Sequence, residues 1–151
     1  MSDMVSALSA RDLQVDFNHA VTQLADTDPE IQAQAIGTLR QLAAAGLAKA
    51  AYNMGVACLR GFHMPQDSQL AAHFMLQAAQ AGCSRAYYPL ARLILDGQLA
   101  TCNRLPVDFR RFISAKWFWR AAVQGDRRAD SWLQRSWVPA MFNCAGSVGY
   151  K

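Results

Sequence analysis

Apolar side chains recur along the chain at the spacing of α-helix faces. Leu13, Phe17, Ala20, Val21 and Leu24 form one such stripe, because residues three and four apart lie on the same side of a helix. The pattern predicts helices at about 9–25, 29–45, 47–60, 68–81, 84–96, 108–124 and 127–138. We therefore expect an all-α protein of about seven helices.

The stripes belong to an internal repeat. A motif of two small or apolar residues followed, after two more positions, by glycine ends at Gly46, Gly82 and Gly125, which are 36 and 43 residues apart. Small residues follow four positions after each glycine, at Ala50, Ala86 and Ala129. Small side chains let two helices approach closely, and a glycine ends a helix readily because it adopts a left-handed conformation. Each unit is predicted to be a hairpin of two antiparallel helices.

Hairpins of this kind stack, since one alone cannot bury its apolar face. The predicted architecture is an α-α superhelix in one domain, 1–151. It divides into an N-terminal capping pair at 1–46, a first repeat at 47–82, a second at 83–125, and a partial helix with an irregular tail at 126–151. The seven extra residues of the second repeat fall in the loop at 97–107, whose role the sequence leaves open.

The repeat resembles the Sel-one-like family, which is related to the tetratricopeptide repeats. The first unit carries Ala50, Met54-Gly55, Gly61, Ala71, Phe74-Met75, Ala78-Ala79 and Gly82 at the family's positions; the second carries Ala86, Leu90-Ala91, Gly97, Trp117-Phe118, Ala121-Ala122 and Gly125. Cys58 and Ile94 stand where the family has an aromatic residue. The resemblance implies a helical solenoid that binds proteins.

The resemblance also implies which residues face a concave groove. They lie three, six, ten and fourteen positions after each glycine, and they give the predicted partner-binding set: Lys49, Tyr52, Val56, Arg60, Arg85, Tyr88, Arg92, Arg128 and Arg135. Arginine binds carboxylates through two hydrogen bonds, and tyrosine offers rigid contact area. We expect an acidic protein or peptide as the partner, although such side chains also serve simply as solvated helix surface.

Charge changes this picture in one respect. Residues 1–48 hold two basic and six acidic side chains, whereas residues 49–151 hold thirteen basic and five acidic ones. The basic half leaves nucleic-acid binding as the alternative function, on residues that cluster late in the chain: Arg104, Arg110, Arg111, Lys116, Arg120, Arg127 and Arg128. A homodimer is a further open alternative.

Features of an enzyme are not evident in the sequence. His19, His63 and His73 lack partners at metal-ligand spacing, and no serine elbow or phosphate-binding glycine motif is present. We therefore predict no enzyme activity, no cofactor and no metal. The four tryptophans, Trp117, Trp119, Trp132 and Trp137, are interpreted as packing residues, and Cys58 as a buried apolar one.

The first residues, Met1 to Ser6, do not predict a secretory leader, and no apolar stretch reaches about 18 residues. The expected setting is the bacterial cytoplasm, with reduced cysteines and no membrane partner. A small interaction module in that setting is an adaptor or regulator. A narrower hypothesis, taken from the family alone, is an immunity protein that neutralises a cognate toxin.

Overall fold

The structure is a computed structural model that describes residues 9–135. Within that range the chain forms seven α-helices: α1 (Ala10–Leu24), α2 (Pro29–Ala44), α3 (Ala48–Arg60), α4 (Ser68–Gln80), α5 (Tyr87–Leu95), α6 (Val107–Val123) and α7 (Arg127–Leu133). A short 3-10 turn, Ser84–Ala86, leads into α5. The expected all-α class is confirmed. The predicted irregular tail, together with Trp137, Pro139 and Cys144, lies outside the described residues.

Side-chain caps fix where several helices begin. Ser9 and Asp12 form a reciprocal capping box at the start of α1. Asp28 and Asp67 each accept hydrogen bonds from backbone N–H groups of the first turn of the helix that follows. These bonds satisfy N–H groups that have no partner inside a helix.

The repeat glycines end the helices as the sequence predicts. Gly46, Gly82 and Gly125 have φ values of +94°, +88° and +89°. In each case the following N–H donates back to a carbonyl of the last helical turn, as Cys83 N does to Ala78 O at 2.9 Å. The chain therefore reverses direction at the same point of every unit.

Helices adjacent in sequence make the main contacts, so the hairpins stack in order. The six largest fully buried side chains, Leu39, Met54, Met75, Leu90, Ile94 and Phe118, come from α2 to α6. Ala50, Ala86 and Ala129, the residues four after each glycine, are all fully buried. Their small side chains leave room for the larger ones of the neighbouring helix.

The insertion between α5 and α6 packs onto the stack. Leu99 and Cys102 are buried, and Gly97 turns with a φ of +73°. The Arg110 guanidinium donates from Nη1 to the carbonyl oxygen of Leu95 at 3.2 Å and occupies the space that a Cβ on Gly97 would need. The Arg110 side chain thus links α5 and α6, the two helices that flank the loop.

Two sequence predictions need correction. α7 ends at Leu133, with Gln134 as its C-cap, five residues before the predicted end. Trp119 is 57% exposed, so it is not a packing residue. The reason is its position on α6: Phe118 points into the core, and a residue one step further is rotated by about 100° toward the outside. Trp117 and Trp132 are half-buried and do pack against the core.

Candidate binding groove

Three clefts adjoin one another along one face of the stack. The apolar cleft, about 440 Å³, is lined mainly by α1, α2 and α3: Val21, Leu24, Ala25, Ile36, Asn53, Val56, Ala57, Arg60 and Phe62. The central cleft, about 590 Å³, is lined by Phe17, Val21, Ala48, Lys49, Tyr52, Asn53, Ala81, Gly82, Cys83, Ser84 and Arg85. The basic cleft, about 580 Å³, is lined by Tyr52, Ser84, Arg85, Ala121, Gln124, Gly125, Asp126, Arg127 and Arg128.

The clefts share walls and so form a single groove. Val21 and Asn53 line both the apolar and the central cleft. Tyr52, Ser84 and Arg85 line both the central and the basic cleft. The groove therefore runs from α1 across α3 and the 3-10 turn to the first turn of α7.

Six of the nine residues predicted to bind a partner line this groove. They are Lys49, Tyr52, Val56, Arg60, Arg85 and Arg128. The other three, Tyr88, Arg92 and Arg135, line none of the three clefts. The predicted set is thus divided between the groove and the neighbouring surface of α5 and α7.

Arg128 is bound by the carboxylate of Asp126, the residue that caps the start of its helix. Its Nε and Nη2 donate to Asp126 Oδ1 and Oδ2 at 3.0 and 2.7 Å. This hydrogen bonding lowers the pKa of Asp126 and raises that of Arg128. Asp126 Oδ1 also accepts the Arg128 backbone N–H at 3.0 Å, which caps α7. One carboxylate thus caps a helix and neutralises a groove cation.

Aromatic rings contact three arginines of this region. The Arg128 guanidinium lies 4.3 Å from the centre of the Tyr88 ring. Arg92 and Arg135 lie 4.9 and 3.6 Å from the Trp132 ring. Cation–π contacts of this kind stabilise the position of a guanidinium, which keeps its charge. Arg92 and Arg135 thus cover an aromatic ring and are at the same time exposed basic side chains.

Four basic side chains of the groove remain available to a ligand. Lys49, Arg60, Arg85 and Arg127 are exposed, and within residues 9–135 none of them forms an ion pair. Arg60 ends α3 and lines the apolar cleft, whereas the other three lie at the start of α3, in the 3-10 turn and at the start of α7. Lys49 and Arg85 are three residues after their repeat glycines, so the repeat itself places them in corresponding positions.

The sequence did not predict the contribution of α1. Phe17, Val21 and Leu24 line the groove, although the sequence assigned their stripe only to packing. Val21 is 38% exposed, which a stripe alone does not reveal. Asp126 and Arg127 were also missed as groove residues, because the predicted positions began three residues after each glycine.

The histidines are dispersed over the described part of the chain. His63 Nε2 is 2.7 Å from Gln32 Oε1, a contact between the loop after α3 and helix α2. His73 meets the ring of Phe74, and His19 is exposed. Across residues 9–135, no three side chains of His, Cys, Asp or Glu are grouped as a metal site would require.

The three cysteines within the described residues are free thiols. Cys58 is fully buried with its Sγ 3.4 Å from the Met64 sulfur, and burial raises the pKa of its thiol. The prediction that Cys58 is a buried apolar residue is confirmed. Cys83 and Cys102 carry free thiols as well. No helix within residues 9–135 has the length and apolar character needed to span a bilayer.

Stacked helix hairpins with a groove across their first helices define the class of tetratricopeptide-like repeat proteins. The chain is similar to a Sel1 repeat protein from Oxalobacter formigenes, with a TM-score of 0.67 and 26% sequence identity over 88% of this chain and 96% of that one. A protective antigen of uropathogenic Escherichia coli with the same repeat fold matches with a TM-score of 0.51 and 20% identity over 93% of this chain and 33% of its own. No family model and no curated protein matches the sequence. The chain has the Sel-one-like repeat fold.

Proposed function

We propose that this chain is a non-enzymatic interaction module that binds an acidic segment of another protein in the groove. Repeat stacks use extended concave surfaces to bind their partners. The observation that supports this role most directly is the row of unpaired basic side chains, Lys49, Arg85 and Arg127, along one continuous groove.

The chemistry of these side chains suits carboxylates. Each is exposed, so binding an acid does not require breaking an existing ion pair. Tyr52 lines the central cleft together with Lys49 and Arg85 and is half-buried. A tyrosine held in this way adds contact area with little loss of side-chain entropy on binding.

Catalysis has less support from the same surface. Among the residues that line the three clefts, Asp126 is the carboxylate, and its hydrogen bonds from Arg128 lower its pKa. A carboxylate of lowered pKa is a poor general base near neutral pH. The groove thus offers charge and shape for recognition, whereas proton transfer lacks a suitably poised group there.

The adaptor and immunity hypotheses both follow from binding of a protein. An immunity-type role in the bacterial cytoplasm is the narrower form, supported by the family resemblance. It requires that the partner be a toxin whose activity this chain abolishes at an equimolar ratio. Binding without inhibition would leave the adaptor role and exclude the immunity role.

Nucleic-acid binding is less well supported by the placement of the late basic residues. Arg110 turns inward to the Leu95 carbonyl, and Arg111 pairs with Asp108 at 3.2 Å. Other members of that set stack on rings: Lys116 on Phe112, Arg120 on Trp117 and Arg128 on Tyr88. Five of the seven late basic side chains thus contact another group of this chain.

A direct comparison of probes tests the proposal. We would measure binding of a fluorescent polyglutamate peptide and of a single-stranded oligonucleotide of equal charge, to the wild type and to Lys49→Glu/Arg85→Glu/Arg127→Glu. Retained helicity by circular dichroism is required of the variant. The proposal expects the peptide to bind and the variant to lose at least about tenfold in affinity. Tighter binding of the oligonucleotide would favour the nucleic-acid alternative.

The control variant carries the same charge change elsewhere. Arg40→Glu/Arg104→Glu/Arg120→Glu alters three exposed basic residues that line none of the three clefts. If this variant loses as much peptide affinity as the groove variant, the attraction is a property of net charge and the groove has no special role. Light scattering on the same samples measures whether a homodimer forms.

A further inference from the structure

The groove differs chemically at its two ends. The apolar cleft is walled by Val21, Leu24, Ile36, Val56 and Phe62, with Arg60 as its basic side chain. The basic cleft at the other end is walled by Arg85, Arg127 and Arg128, with Ser84, Gln124 and Asp126. A uniformly acidic ligand would satisfy the second end, but at the first end it could contact Arg60 and would leave the apolar walls without a suitable partner.

We propose that the partner segment is bipartite, with apolar side chains that enter the apolar cleft and an acidic cluster that meets Lys49, Arg85 and Arg127. This inference rests on the proposed function and specifies its ligand. Charge complementarity fixes the acidic end, and burial of an apolar side chain favours the other end.

The apolar cleft has room for more than one anchoring side chain. Of its walls, Ile36 is buried, whereas Val21, Leu24, Val56 and Phe62 are partly exposed. A volume of about 440 Å³ exceeds that of one leucine or phenylalanine side chain. Partly exposed apolar walls around a cleft gain free energy when a ligand removes them from water.

Helix geometry sets the distance between the two parts of the ligand. The apolar cleft lies against α3, and the basic cleft reaches α7, two first helices further along the stack. On α3 itself, Val56 of the apolar cleft and Lys49 of the central cleft are seven residues apart, which is about 10 Å along the helix axis. An extended chain advances about 3.3 Å per residue, so a spacer of about five residues covers this distance with length to spare.

The test uses synthetic peptides in place of the unidentified partner. One peptide carries two leucines, a Gly-Ser spacer of about five residues and three aspartates; a second has the reverse order, since the groove fixes no chain direction. A third carries the spacer and aspartates without the leucines. We expect one of the joined peptides to bind about tenfold more tightly than the third, which corresponds to about 1.4 kcal/mol.

Two variants assign the gain to the apolar cleft. Val21→Asn adds a polar group to the cleft wall, and Val15→Asn makes the same change on the same helix at an exposed position that lines none of the clefts. The advantage of the joined peptide should disappear in Val21→Asn and persist in Val15→Asn. Circular dichroism verifies that both variants keep their helices.

The outcomes separate this inference from the proposed function. If the aspartate peptide binds and neither leucine peptide improves on it, the bipartite ligand is refuted and the acidic-partner proposal stands. If Val15→Asn removes the gain as fully as Val21→Asn does, the apolar cleft is not the anchor site, which also overturns the inference. If no peptide binds, both proposals fail.

Discussion

Asp126 offers a test in which stability and binding should change in opposite directions. The substitution Asp126→Asn removes the negative charge. It keeps a side-chain oxygen that can accept the Arg128 backbone N–H, which lies 3.0 Å from Asp126 Oδ1 in the wild type. The helix cap is therefore retained, while the two charge-assisted bonds from the Arg128 side chain are weakened. Asp126→Ala removes both the cap and the ion pair.

The expected magnitudes follow from these contacts. Exposed ion pairs contribute about 0.2–1 kcal/mol, so Asp126→Asn should cost no more than about 1 kcal/mol of unfolding free energy. Loss of a cap costs about 1 kcal/mol in addition, which makes Asp126→Ala the less stable variant. For binding, removing a carboxylate at about 6 Å from a ligand carboxylate relieves a repulsion of about 0.7 kcal/mol in water.

The acidic peptide should therefore bind Asp126→Asn at least about threefold more tightly than the wild type. Urea denaturation should show a lower unfolding free energy for this variant than for the wild type.

The stability of the wild type should also depend on pH. The pKa of Asp126 is lowered in the folded state, so its stabilising contribution is present above the pKa of the unfolded chain. That contribution is lost as pH falls through the lower, folded-state pKa, and Asp126→Asn should lack this component.

The reasoning is refuted if Asp126→Asn weakens binding of the acidic peptide while remaining folded. That result would mean that Asp126 orients Arg128 for the ligand instead of neutralising it. Equal unfolding free energies for Asp126→Asn and Asp126→Ala would contradict the capping role. Peptide affinity by fluorescence anisotropy and urea titrations by circular dichroism supply both quantities from the same preparations.

Three further predictions concern the scaffold. Gly97→Ala should lower the unfolding free energy by about 1–3 kcal/mol in urea titrations, because Gly97 has a positive φ and lies beside the Arg110 guanidinium. Gly37→Ala in α2 should raise the unfolding free energy by up to about 1 kcal/mol, since the added Cβ would meet no other atom. Equal effects of these two substitutions would refute the role of Gly97 in the turn. Phe118→Ala should cost about 3–5 kcal/mol by the same measurement, since the ring is fully buried; a cost below about 1 kcal/mol would contradict that packing. Cys58 should react with a thiol reagent far more slowly than Cys83 at neutral pH, because burial raises its thiol pKa; equal rates, followed by peptide mapping, would show that α3 opens readily.

Much of the fold could be predicted because the repeat encodes it locally. Glycine at 46, 82 and 125 and alanine four residues later fix helix ends and close packing in each unit. The outer side of a helix is less predictable: the repeat places Phe118 at the same position as Met75, but large aromatic residues stand on both sides of it, and Trp119 proves to face solvent. The end of α7 was also misplaced, since apolar residues continue past Leu133.

The groove could be predicted in part for a related reason. Positions counted from the repeat glycines located Lys49, Tyr52 and Arg85, because every unit presents the same helix face. The counting could not show that Asp126 binds Arg128, or that Trp132 lies beneath Arg92 and Arg135. Those contacts depend on side-chain conformations and on neighbouring helices, which a one-dimensional pattern does not specify.

The groove crosses a stack whose helices contact mainly their sequence neighbours, and this has a consequence for folding cooperativity. In such a linear array each hairpin can unfold with limited loss to distant ones. A ligand that reaches from α1 to α7 would connect units that otherwise communicate only through the intervening hairpins. Binding should therefore make unfolding of the two ends more concerted, and hydrogen exchange in α1 and α7 should slow together when the groove is filled.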